Sequence, residues 1–216
     1  MRRIYLPGVS CHVIRRGNNR GPIFRDDSDR ELFLALVEWS WARSDVEVNG
    51  FSLMDNHYHL IATPRTAQGL PAAMKDLGRE YVKRYNRKHG RIGTLWTGRP
   101  KTIPITDERY WLTCLRYIEQ NPVRAHIVSS PGDYRWSSFG FHGLGQPHPW
   151  LTPHAVYLSL GATPEERQAG YRALCDAALT EAELVRQRHA LTTRATAAAV
   201  SDSYAIHTRT ISDAYQ

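Results

Sequence analysis

Two strand-like runs separated by only two residues constrain the fold of this 216-residue chain most strongly. Residues 46–54 and 57–63 each have the composition and length of a β-strand. Between them, Asp55-Asn56 tolerates positive φ angles and suits a two-residue turn. The sequence therefore predicts an antiparallel β-hairpin in the first third of the chain.

The segments around this hairpin alternate between strand and helix patterns. In order, they are a strand over 10–16, helices over 28–43 and 69–89, a strand over 99–105 and a helix over 106–120. Pro100 and Pro104 cannot donate to a ladder, so the last strand is expected at an edge. The predicted class is α+β, a ferredoxin-like split βαβ fold with an antiparallel sheet, helices on one face and a third helix after the fourth strand.

The chain changes character after the third helix. Residues 1–145 are expected to form one domain, and 146–216 a C-terminal helical extension with a helix over 163–179. From residue 192 onward the sequence is rich in alanine, threonine and serine with little apolar periodicity. That composition predicts a flexible tail.

The charge balance favours a polyanionic partner. The chain has 28 Lys and Arg against 21 Asp and Glu, which gives a net charge of +7. Residues 1–25 and 81–106 contain arginines and lysines but no acid. Tyr81, Tyr85 and Trp96 lie within the second stretch and are either stacking platforms for unpaired bases or ordinary core residues.

Other sequence features narrow the class further. The three cysteines are widely spaced and predict neither a disulfide framework nor a zinc knuckle, so a reducing compartment is expected. No run resembles a signal peptide or approaches the roughly 20 apolar residues that span a bilayer. We therefore expect a cytoplasmic protein that binds nucleic acid rather than membrane.

His57 and His59 form the first candidate functional pair. Alternate residues of a strand share a face, so both imidazoles project together while Tyr58 points to the other face. Two imidazoles in this arrangement suit a single cation. Pairs of this kind also arise by chance as ordinary surface or core histidines.

Tyr117 and Asn121 form the second pair, one turn apart on the third predicted helix. Thr106 is a plausible N-cap, and Pro122 predicts that Asn121 is the last or nearly the last residue of that helix. Taken alone, Tyr117 is better explained as the polar edge of an apolar stripe that faces the core. An amide oxygen from Asn121 would complete a His-His-Asn metal site beside the phenol.

Five runs, in order, carry a family resemblance: RRGNNR, LMDNHYHLIATP, YVKRYNRKHGRIGTLWTGR, RYIEQNPVRA and PGDYRWSSF. Together they resemble the REP-associated tyrosine transposases, which belong to the single-tyrosine HUH transposase superfamily. The resemblance covers roughly residues 1–175. The bulky Tyr58 between the two histidines is a tolerable departure, whereas the stretch from about residue 188 does not follow the family pattern.

The resemblance implies metal-dependent cleavage and rejoining of single-stranded DNA through a 5′-phosphotyrosine link. Tyr117 falls on the nucleophile, and His57, His59 and Asn121 fall on the ligands of Mg²⁺ or Mn²⁺. The implied partner is a hairpin-forming strand of a repetitive extragenic palindrome, bound by a monomer or, alternatively, a homodimer. The candidate phosphate contacts are Arg15, Arg16, Arg20, Lys83, Arg84, Arg87 and Arg91.

Two other functions fit parts of the pattern. A non-catalytic DNA- or RNA-binding protein would keep the sheet and the basic stretches but has no need of all four site residues. A metal-dependent hydrolase would use the histidines while Tyr117 served a structural role, and it would form no covalent intermediate.

Overall fold

A four-stranded antiparallel sheet forms the centre of the computed structural model, which describes residues 5–192. The strands are β1 (Cys11–Arg16), β2 (Val46–Met54), β3 (His57–Pro64) and β4 (Lys101–Pro104). Their order is β2-β3-β1-β4, with β4 at the edge as its prolines predict. The predicted α+β class and antiparallel sheet are confirmed.

The hairpin that the sequence predicts joins β2 to β3. Met54 pairs with His57 across the Asp55-Asn56 turn. A register shift between Val48 and Gly50 accommodates one extra residue in β2. The tight turn places His57 at the start of β3.

Helices α1 (Asp27–Ala42) and α2 (Gly69–Lys88) cover one face of the sheet. Phe33 of α1 lies 4.8 Å from Tyr58 and 5.1 Å from Tyr81 of α2, measured between ring centroids. Both tyrosines are almost fully buried. This face therefore holds the larger hydrophobic core, and Tyr58 is part of it.

Helix α3 (Glu108–Glu119) covers the opposite face of the sheet. Ile61 of β3 belongs to one buried cluster with Trp111, Leu115 and Ile118 of α3. The N-cap is Asp107, whose carboxylate accepts from the Tyr110 amide at 2.9 Å. The prediction of Thr106 as N-cap was wrong by one residue, because the Asp107 carboxylate reaches the free amide of the first turn.

The end of α3 differs from the prediction. α3 ends at Glu119, and Asn121 begins a separate four-residue helix, α4 (Asn121–Arg124), with Pro122 in its first turn. Proline is tolerated there because the first amides of a helix have no intrahelical acceptor. The third helix therefore ends two residues before the position expected for it, and Asn121 lies in α4 and not in α3.

Four more helices follow among residues 5–192: α5 (Phe139–Leu144), α6 (Ala155–Leu158), α7 (Pro164–Asp176) and α8 (Glu181–Thr192). Short 3-10 helices span Asn18–Arg20 and Pro131–Asp133. α7 lies within the helix predicted over 163–179, and Thr163 forms a capping box with Glu166. The tail predicted to be flexible lies outside the described residues. No helix in the described part of the chain is long and apolar enough to cross a membrane.

A buried carboxylate ties α3 to the helices α5 and α7. Glu119 accepts hydrogen bonds from Ser138 Oγ, from His142 Nδ1 at 2.8 Å and from Tyr171 Oη at 2.6 Å. Ser138 precedes α5, His142 lies on α5 and Tyr171 on α7. All four side chains are almost fully buried, and Ser138 also bonds to Phe51 of β2, so this network ties α3 to α5, to α7 and to the β2 edge of the sheet.

We expect Glu119→Gln to lower the free energy of unfolding by about 1–3 kcal/mol, because the amide NH₂ faces a donor that then loses its acceptor. Urea unfolding followed by circular dichroism measures the change. Glu38→Gln on the exposed face of α1 is the control and should change stability by less than about 0.5 kcal/mol. Equal effects of the two variants would contradict this role of Glu119.

Candidate active site

The pleat of β3 directs His57 and His59 to the face that α3 covers. Tyr58 between them points into the core under α1 and is 2% exposed. His59 is buried and His57 is half-buried. The two imidazole ring centroids lie 5.0 Å apart. The two histidines therefore share a face, as strand periodicity predicts.

Asn121 of α4 meets both imidazoles. Its Nδ2 lies 2.9 Å from His59 Nε2 and 3.4 Å from His57 Nε2. A half-turn of the amide group places Oδ1 at the same position, so this side chain can present either a donor or an acceptor. The structure thus brings Asn121 of α4 to the two histidines of β3, which precede it in the sequence by 64 and 62 residues.

Tyr117 lies beside these three residues. Its ring centroid is 6.2 Å from that of His59, and the two ring planes are nearly perpendicular at 83°. The side chain is half-buried and packs against the apolar cluster of α3. All four site residues predicted from sequence therefore occupy one location, between the start of β3 and the junction of α3 and α4.

Hydrogen bonds at Nδ1 orient both imidazoles. Asn56 Oδ1 accepts from His57 Nδ1 at 2.6 Å, while Asn56 Nδ2 donates to the Arg20 carbonyl oxygen at 3.2 Å. The Nε2 lone pair of neutral His57 is then free and faces Asn121. His59 Nδ1 lies 2.7 Å from His12 Nε2, and donation from His59 to His12 frees the second Nε2 in the same way.

Burial keeps these imidazoles neutral at pH 7. It lowers the pKa of His57 to about 4, with a further contribution from the Arg16 charge. Burial also lowers the pKa of His12 to about 4 and that of His59 well below its usual range, where nearby positive groups including Arg124 add to the effect. The neutral form is the one that binds a metal ion.

The donor set fits a divalent cation. Two neutral imidazole nitrogens and one amide oxygen can approach a common point and leave other positions open for phosphate oxygen and water. Mg²⁺ prefers oxygen ligands, whereas Mn²⁺ accepts nitrogen more readily. His57, His59 and Asn121 are the residues that could hold such an ion.

A second group of possible metal ligands, Asp26, Asp29 and His89, lies at the end of α2, within 4.8 Å of one another. Lys88 Nζ already donates to Asp26 at 2.6 Å and to Asp29 at 2.8 Å. His89 Nε2 also contacts Asp29, at 2.9 Å from Oδ2. The ammonium group supplies the positive charge that these carboxylates need, so we assign this group a structural role.

Three residues at the site were not singled out from sequence: His12, Asn56 and Arg124. His12 is 1% exposed, and Arg124 has its guanidinium carbon 4.2 Å from the Tyr117 ring centroid. Strand alternation could have indicated the face on which His12 lies. It could not indicate that β1 pairs with β3, which is what brings His12 to His59.

Arg15 and Lys83, two of the predicted DNA contacts, line a groove of about 1020 Å³ beside α2. We call it the α2 groove; its other cationic side chains are Lys75, Arg79 and Arg99. Arg15 is fixed there by a hydrogen bond from Nε to the Gly98 carbonyl oxygen at 3.1 Å and by stacking on Trp96. The α2 groove lies on the sheet face away from the two histidines.

The other predicted DNA contacts are dispersed. Arg16 pairs across the sheet with His57 and is exposed at the edge of the site, and Arg20 is exposed in the adjoining turn. Arg84 lines a different groove between α1 and α2, whereas Arg87 and Arg91 lie near the end of α2. The seven residues therefore do not form one continuous patch.

The aromatic residues of the second basic stretch are core residues and not stacking platforms. Tyr81 and Tyr85 are fully buried and donate to the carbonyl oxygens of Ile23 at 2.5 Å and Pro22 at 3.1 Å. Trp96 is 6% exposed. The stacking alternative for these three residues was wrong, because α2 turns Tyr81 and Tyr85 toward the sheet and Trp96 packs against Tyr58 and Tyr81 in the same core.

Comparisons with solved structures agree with this architecture. A REP-associated tyrosine transposase bound to a REP hairpin superposes with a TM-score of 0.55 and 19% sequence identity, over 72% of this chain and 92% of that one. A putative transposase from Deinococcus radiodurans matches with a TM-score of 0.39 and 18% identity, over 56% of this chain and 95% of that one. The first of these supports the fold.

No curated protein matches the sequence. The family model of the IS200-like transposases, in contrast, matches residues 6–121. That span contains all four strands, the two histidines, Tyr117 and Asn121. The match covers more than half of the chain, which therefore belongs to the IS200-like transposase family.

Proposed function

We propose that this transposase cleaves and rejoins single-stranded, hairpin-forming DNA of repetitive extragenic palindromes through a covalent bond to Tyr117. The observation that carries the proposal is the convergence of His57 Nε2, His59 Nε2 and the Asn121 amide next to the Tyr117 ring. The similar fold that was solved with a REP hairpin supports the choice of substrate.

The reaction exchanges one phosphoester bond for another. The Tyr117 oxygen attacks the scissile phosphorus, the bond to the 3′ oxygen breaks, and that oxygen takes a proton to become a free 3′-hydroxyl. The phenol proton leaves to solvent. The 5′-phosphotyrosine bond retains the energy of the phosphodiester, so a 3′-hydroxyl can reverse the attack without ATP.

His57, His59 and Asn121 hold the divalent ion in this proposal, and Mg²⁺ and Mn²⁺ are the candidates. When bound, the ion supplies positive charge to the phosphate oxygens as they become more negative in the transition state. The hydrogen bonds from Asn56 and His12 fix the two imidazoles before DNA binds, so little reorganisation is required.

Two basic surfaces serve DNA binding in this proposal. Arg16 and Arg20 border the active site and are suited to the cleaved strand, whereas Arg15 and Lys83 in the α2 groove are suited to a more distant part of the substrate. Arg84, Arg87 and Arg91 remain predicted phosphate contacts farther along α2. A monomer acting in the cytoplasm, with a catalytic domain over 1–145, completes the proposal.

We expect Tyr117→Phe to abolish the covalent DNA adduct while hairpin affinity changes by less than about threefold, because only the nucleophilic oxygen is lost. A hairpin oligonucleotide labelled at its 3′ end reveals the adduct on a denaturing gel. Tyr110→Phe, on the same helix but away from the histidines, is the matched control and should still form it. An adduct formed by Tyr117→Phe would refute the assignment of Tyr117 as the nucleophile. Cleavage of the hairpin by the wild type without any adduct would favour the alternative function, a metal-dependent hydrolase.

We expect His59→Ala to abolish tight Mn²⁺ binding and His89→Ala to leave it unchanged, because Lys88 already neutralises Asp26 and Asp29. Isothermal titration of the DNA-free protein measures both. If His89→Ala lost Mn²⁺ binding and His59→Ala kept it, the metal site would be the group of Asp26, Asp29 and His89 instead.

We expect His12→Ala to weaken Mn²⁺ binding by about 10-fold to 100-fold, the usual effect of removing a hydrogen-bond partner of a ligand histidine. The same titration serves, and thermal unfolding checks that the variant is folded. An affinity equal to that of the wild type in a folded variant would contradict the orienting role of His12.

A further inference from the structure

Arg124 contacts the side chain and the backbone of the residue we propose as the nucleophile. Its guanidinium carbon lies 4.2 Å from the Tyr117 ring centroid, and its Nη2 donates to the Tyr117 carbonyl oxygen at 2.5 Å. The short helix α4 makes both contacts possible, because it folds Arg124 back over the last turns of α3. One guanidinium therefore contacts both the ring and the backbone of Tyr117.

The guanidinium keeps an unused donor. Arg124 Nη1 is buried and has no hydrogen-bond partner among the described residues. A buried N–H without an acceptor is unfavourable, and a guanidinium stays charged even when burial lowers its pKa. This donor therefore suits an anion that enters the site with the substrate.

The location of the charge identifies that anion. Arg124 contacts the ring of Tyr117, and it follows Asn121, whose amide meets both imidazoles, by three residues on α4. A phosphate group placed for attack by the Tyr117 oxygen and bound at the two histidines would lie in the same space. An arginine presents N–H groups in a geometry that matches phosphate oxygens.

We propose that Arg124 holds the Tyr117 ring in place and donates from Nη1 to a non-bridging oxygen of the scissile phosphate. This inference rests on the proposed function. As the bond from Tyr117 to phosphorus forms and the bond to the 3′ oxygen breaks, the non-bridging oxygens gain negative charge, which the guanidinium stabilises. The phosphotyrosine diester remains anionic, so Arg124 also holds it for the rejoining step.

The test compares single-turnover adduct formation by the wild type and by Arg124→Gln on a 3′-labelled hairpin oligonucleotide. We expect the variant to be slower by about 100-fold, as when one donor to a developing oxyanion is removed. Its hairpin and Mn²⁺ affinities should stay within about threefold of wild type, because the proposed hydrogen bond strengthens mainly in the transition state. Arg124→Lys keeps the charge but loses the planar fork, so its rate of adduct formation should fall between those of the wild type and Arg124→Gln.

A methylphosphonate at the scissile position tests the contact directly, because it replaces one charged non-bridging oxygen by a methyl group. On this substrate, Arg124→Gln should lose most of its defect relative to the wild type. The matched control is Arg186→Gln, since Arg186 stacks on Tyr110 of the same helix with its guanidinium carbon 4.1 Å from the ring centroid. That variant should form the adduct at the wild-type rate on both substrates.

The outcomes separate the two proposals. If the wild type forms no adduct, the proposed function fails. If the wild type forms it and Arg124→Gln is equally fast, or if the defect is as large on the methylphosphonate, the role of Arg124 is refuted alone. It is also refuted if both Arg124 variants lose hairpin or Mn²⁺ binding as much as cleavage, because Arg124 is then only structural.

Discussion

The contact between the Asn121 amide and the Nε2 atoms of His57 and His59 depends on two surfaces approaching closely. β3 supplies the histidines, and the junction of α3 and α4 supplies the amide and Tyr117. Ile61, Trp111, Leu115 and Ile118 bring these surfaces together through an apolar cluster that excludes water. The geometry of the site therefore depends on the packing of Ile61, which lies two residues after His59 on β3.

The same close packing determines the electrostatics. Burial disfavours the charged form of each imidazole, so His12 and His57 have pKa values lowered to about 4 and both stay neutral at pH 7. A neutral imidazole carries one N–H proton, and the hydrogen bonds at Nδ1 keep that proton on the nitrogen that faces away from Asn121. Positive charge in the site comes instead from Arg124 and Arg16, which are suited to a phosphate.

The segment that follows α4, which includes part of the C-terminal extension, takes part in this arrangement through Glu119. This carboxylate lies on α3 between Tyr117 and Asn121 in sequence, and its three donors come from the segment that follows α4. A change in the extension can therefore shift the helix that bears Tyr117. The family model ends at residue 121, so the support from α5 and α7 lies beyond the matched region.

The sequence by itself determined the hairpin, the four strands and the placement of His57 and His59 on one face of β3 with Tyr58 on the other. Strand periodicity and turn chemistry are local, so they can be recognised without the rest of the fold. It also predicted which four residues belong together, through five collinear motifs, and their catalytic roles stay predictions. It missed the break at Asn121, since proline both ends helices and begins them. Only the tertiary structure decided that α3 covers the histidine face, that Tyr81, Tyr85 and Trp96 are core residues, and that His12 and Arg124 reach the site. Those contacts depend on which strands pair and how helices pack, which no local pattern encodes.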